Sequence, residues 1–87
     1  MVYALTYDLN KAGQDYPSLY SAIKSMGSWC LALQNLWFID TFKSPLEIRQ
    51  AIQNVTDSND HIFVSEVTTS WSGYMNKEAI KWLQSRI

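Results

Sequence analysis

The sequence predicts an α+β domain, with a four-stranded antiparallel sheet, two helices on one sheet face and an extra C-terminal helix. Three observations predict it. Strand-like and helix-like segments alternate so that strand-helix-strand occurs twice. Both intervening helices carry apolar residues at the same spacing of three, one and three. Only Gln34-Asn35 separates the two middle strands, which makes them a hairpin.

Each element has a local cause. Val2 to Asp8 is a strand because β-branched and aromatic residues dominate it, with Val2, Ala4 and Thr6 alternating with Tyr3, Leu5 and Tyr7. Leu9 to Gln14 is a polar loop with Asn10 and Gly13 as turn residues. Asp15 or Tyr16 caps the first helix, and Pro17 falls in its first turn. Leu19, Ala22, Ile23 and Met26 form its apolar face, and Gly27 stops it. Ser28 to Leu33 and Leu36 to Thr41 are the hairpin strands. Ser44-Pro45-Leu46-Glu47 opens the second helix as a capping box, and Ile48, Ala51, Ile52 and Val55 continue it. Thr56 to Asp60 is a loop by composition. His61 to Val67 is the fourth strand, with Phe63, Ser65 and Val67 facing away from Ile62, Val64 and Glu66. Thr68 to Met75 is a polar loop, and Asn76 caps a last helix running to Ser85.

This order is that of the ferredoxin-like, split β-α-β fold. A right-handed crossover places the third strand between the first and second, so the expected spatial order is 4-1-3-2. Residues 1–87 form one domain, with a core over 1–67 and a C-terminal loop and helix over 68–87.

Composition bounds the function. Of the 87 residues, 47% are hydrophobic, enough for one modest core without a metal or disulfide staple. Four Trp, five Tyr and three Phe are a high aromatic load, which suits packing in the core and across a homodimer interface; stacking on single-stranded nucleic acid is the alternative use. Seven Lys/Arg against eight Asp/Glu give a net charge of −1 without charge blocks. That balance counts against strong, sequence-independent nucleic-acid binding, which phosphate neutralisation dominates. Cys30 is the single cysteine, so no intramolecular disulfide forms, and a reducing cytoplasm is the expected location. No basic segment precedes an apolar run, and no stretch approaches the roughly 18 apolar residues of a membrane span. No membrane partner is expected.

The topology brings polar groups together. The end of the first strand lies beside the start of the fourth, so Asp8 should sit near Asp60 and His61, with Gln34 and Asn35 on the same rim and Asp40 on the opposite one. Two carboxylates and an imidazole can hold a divalent cation or do acid–base work. Alternatively, Asp8 caps the following loop and Asp60-His61 is a solvated turn. Cys30 and His61 fall on opposite sheet edges, which separates them as a nucleophilic pair.

Tyr7-Asp8-Leu9 resembles the Tyr-Asp-aliphatic signature of the CRISPR-associated Cas-two family. Gln34 to Asp40 resembles that family's second signature, a Gln-x-Ser-Val-Phe-Glu-like strand, and Leu46 to Val67 resembles its second helix and fourth strand. The chain looks closer to the Cas-two-like proteins often labelled SinR-like; virulence-associated protein D is a related relative with the same architecture. The resemblance covers residues 2–67. It implies a ferredoxin-like homodimer with sheets packed face to face and one Asp8 from each subunit near the interface. It links Asp8, the one functional residue it carries over, to metal-dependent phosphodiester cleavage of RNA or DNA. Mg²⁺ is the expected cation, and the topology, not the resemblance, offers Asn10, Asp60 and His61 as candidate neighbours. Some members are instead non-catalytic adaptors for DNA. Leu36 and Ile39 stand where the family often has Ser and Glu, the first helix lacks an arginine cluster, and residues 68–87 do not match its short swapped strand.

Overall fold

The computed structural model describes residues 1–10 and 16–87. Residues 11–14 of the expected first loop, and the expected cap at Asp15, lie outside the described residues. The elements are β1 (Val2–Asp8), α1 (Tyr16–Lys24), β2 (Ser28–Leu33), β3 (Leu36–Asp40), α2 (Pro45–Gln53), β4 (His61–Glu66) and α3 (Lys77–Gln84). The strands form one antiparallel sheet in the order β2-β3-β1-β4, which is 4-1-3-2 read from the other edge.

The sheet carries helices on both faces, and the alternation along β1 shows why. Tyr3, Leu5 and Tyr7 point to one side, where they bury Leu19 and Ile23 of α1, Trp37 and Ile39 of β3, and Ile48 and Ile52 of α2. Val2 points to the other side and packs with Ala32, Phe38, Ala79 and Leu83. The last two residues belong to α3, so this helix covers the second face over the β2 and β3 half. Phe38 stacks on Trp82 with ring centroids 6.4 Å apart. Arg86 then clamps the C-terminal end, with its guanidinium 4.2 Å from the centre of the Trp82 ring and 3.4 Å from the Asp40 carboxylate.

Helix starts follow the expected chemistry. The Ser44 hydroxyl accepts the Glu47 N–H at 3.1 Å, and the Glu47 carboxylate accepts the Ser44 N–H at 2.9 Å. Asn76 accepts the Ala79 N–H at 2.8 Å and donates to the Ala32 carbonyl at 3.3 Å. One side chain thus starts α3 and ties it to the edge strand.

Helix stops differ from expectation. α1 ends at Lys24, before Met26 and Gly27. The Ser25 hydroxyl donates to the Ala22 carbonyl, and the last turn tightens through Met26 N–H to Ile23 O at 3.2 Å. Gly27 serves a different purpose: any Cβ there would collide with the Asp40 carbonyl. α2 likewise stops at Gln53, leaving Val55 to pack from the following turn. β3 and β4 each end one residue early, although Thr41 N–H still bonds Met1 O and Val67 N–H still bonds Val2 O.

Candidate functional site

The rim where β1 ends and β4 begins carries the polar groups that the topology brings together. Asp8 and His61 are partners in the β1–β4 ladder, directly opposite one another. Register places both on the face of Thr6, Phe63 and Ser65, away from α1 and α2. Directly opposed residues hold their Cβ atoms about 4.5–5.5 Å apart, within joint reach of one ligand. Both side chains are exposed and line a shallow dent of about 200 Å³ with Thr6, Tyr7, Ile62 and Phe63. Neither makes a hydrogen bond or ion pair among the described residues.

Asp60 has a different role. One carboxylate oxygen accepts the Asn10 N–H at 2.9 Å, and the other accepts the Asp57 N–H at 2.8 Å. The Asn10 amide donates in turn to the Asn59 carbonyl. Asp60 and Asn10 therefore lock the segment after β1 to the turn before β4. They hold Asp8 and His61 in place from behind. A short acidic residue just before a strand, in a Thr-Asp-Ser-Asn-Asp run, is the sequence signal for such a cap.

Beneath Asp8, on the helix side, the Trp37 indole N–H donates to the Tyr7 hydroxyl at 3.2 Å. Burial pushes the Tyr7 hydroxyl above its ordinary pKa, and the Trp37 bond opposes that shift. Tyr16, Tyr20, Trp37 and Trp29 run as a ladder of tilted rings 5.5–5.7 Å apart, closed by Lys24 over Trp29. Trp37 is 1% exposed, so it is core; Trp71 and Trp82 pack around α3. Trp29, 40% exposed, is the most open of the four.

Cys30 lies on β2, across the full sheet from His61 on β4. Burial pushes its thiol up, with Arg86 partly opposing, and this disfavours the thiolate a nucleophile needs.

A larger concavity, about 620 Å³, is at the opposite rim around Asp40, Thr41, Phe42, Lys43 and Glu47. Three of its polar side chains are already engaged. Asp40 pairs with Arg86, the Thr41 hydroxyl donates to Met26 O at 2.8 Å, and Glu47 closes the α2 cap. Size here does not mark chemistry; the smaller dent holds Asp8 and His61, whose side chains have no partner among the described residues. Among the described residues no three His, Cys, Asp or Glu side chains cluster to hold a metal ion, and no helix is long and apolar enough to cross a membrane.

No protein-family model matches the chain, and no solved structure matches it.

Proposed function

We propose that this chain is a ferredoxin-like, Cas-two-like homodimer that cleaves phosphodiester bonds of RNA or DNA with a divalent cation held at Asp8. The observation that carries the reading is the exposed Asp8 carboxylate, on the sheet face outside α1 and α2 and without a partner among the described residues. Mg²⁺ asks little of a protein: one or two carboxylates, with water and substrate phosphate completing its shell. Asp8 from each subunit meets that demand. A bound ion activates water and stabilises charge developing on the phosphate. Asp60 and Asn10 act behind it by fixing the rim.

The dimer uses the part of the second face that α3 leaves open. Phe63 is 65% exposed there, two residues along the strand from His61. An exposed large apolar residue beside a polar rim suits an interface.

The second reading is a non-catalytic adaptor of the same fold. The net charge of −1, with no basic block to neutralise phosphates, favours it.

Labelled RNA and double-stranded DNA, incubated with Mg²⁺ or EDTA beside Asp8→Asn, separate the readings. The nuclease reading expects cleavage that both EDTA and Asp8→Asn abolish. Cleavage surviving both sinks it, and no cleavage in any lane leaves the adaptor.

A further inference from the structure

We infer that Asp8 and His61 form a two-donor carboxylate–imidazole site that prefers borderline first-row cations (Co²⁺, Ni²⁺, Zn²⁺) to Mg²⁺. The inference rests on the reading above for its second copy. Each subunit supplies one such pair, and a two-fold axis at this face would bring two carboxylates and two imidazoles together.

The argument starts from the ladder. Asp8 and His61 are register partners on one face, so the sheet itself sets their separation. A carboxylate oxygen and an imidazole nitrogen each bind such a cation at about 2.0–2.2 Å, a reach that opposed side chains can share. Both are exposed at the end of their strands, beside the dent lined by Thr6 and Phe63. The competing carboxylate is committed elsewhere, because Asp60 accepts backbone N–H groups of Asn10 and Asp57.

Donor chemistry then decides the cation. Imidazole suits zinc and its first-row neighbours, whereas Mg²⁺ takes oxygen almost alone. An all-carboxylate rim would favour Mg²⁺. Here half the donors are nitrogen, while the Asp60 oxygens are turned toward the backbone N–H groups of Asn10 and Asp57. The rim is thus shaped for affinity toward a metal that accepts both ligands.

The test is direct binding. Zn²⁺ and Mg²⁺ are titrated by calorimetry, and Co²⁺ by its visible absorption, into the wild type, Asp8→Asn and His61→Gln. Circular dichroism checks that both variants fold, as substitution at exposed strand ends allows. Wild type should bind Zn²⁺ more tightly than Mg²⁺. His61→Gln should lose at least the ~10-fold in Zn²⁺ affinity that removing even a supporting partner costs, with Mg²⁺ affinity unchanged. The Co²⁺ band should weaken in both variants. A His61→Gln protein that binds Zn²⁺ and Co²⁺ like the wild type overturns the inference, as does a wild type that binds neither. The cleavage assay reports separately. Metal bound through both residues without cleavage leaves this site and removes the nuclease. Mg²⁺-dependent cleavage indifferent to His61→Gln, with no Zn²⁺ preference, does the reverse.

Discussion

Asp60 and Asp8 are the same residue type within one small region, yet their surroundings give them different work. Asp60 has both oxygens on backbone N–H groups, while Asp8 has none among the described residues. Only the first is needed to hold the loops. Asp60→Ala should therefore destabilise the protein by about 1–1.5 kcal/mol, the net worth of exposed hydrogen bonds whose donors water can take up, whereas Asp8→Asn should stay within about 0.5 kcal/mol. Urea unfolding of the two variants checks this, and equal destabilisation would contradict the division of roles. Ser44 and Glu47 offer a second test at this scale. Hydrogen bonds from Ser44, its backbone N–H first, hold the Glu47 carboxyl below its ordinary value, and Lys43 adds to this. A depressed folded value means the contribution is present above the unfolded value, about 4.3, and is lost as pH falls through the folded one. The midpoints of wild type and Glu47→Gln should differ at neutral pH and converge on acidification. Ser44→Ala removes the cap itself and should cost about 1 kcal/mol, or roughly 4–8 °C in Tm.

At the scale of elements, α3 is the piece with most to lose. An 8-residue helix is too short to persist alone in water, so it exists because Ala79 and Leu83 are buried. Leu83→Ala should cost about 2–5 kcal/mol and expose Trp82 and Phe38 beneath it. Red-shifted Trp emission under native conditions is the expected sign that α3 has lifted. Unchanged emission with lowered stability would mean the helix holds its place through Asn76 and Arg86. The strands and the second helix were legible because their causes are local. β-branched and aromatic alternation marked β1, and the spacing of Ser44 and Glu47 marked the start of α2. The end of α1 was not legible, because Gly27 resembles a stop signal but is required by the approach of the Asp40 backbone, 13 positions away in sequence.

For the whole molecule, α3 decides what kind of assembly is open. It occupies the second sheet face over β2, β3 and the start of β1, so a face-to-face dimer is left with the end of β1 and with β4, where Phe63, Asp8 and His61 stand. Phe63→Asp should halve the mass measured by light scattering at micromolar concentration and leave the far-UV circular dichroism unchanged. A wild-type monomer under the same conditions would count against the proposed dimer and the paired Asp8 site alike. The sequence by itself determined the seven elements, their order and the rim on which Asp8 meets His61, since periodicity, caps and crossover handedness act through near neighbours and a simple chiral rule. Only the tertiary structure decided that Asp60 is a loop lock, that Trp37 is core and that α3 covers part of the second face. An apolar stripe can bury against any apolar surface, and a carboxylate can serve any nearby donor. Which partner each one meets is set by distances between residues far apart in the chain, and those distances exist only once the sheet has formed.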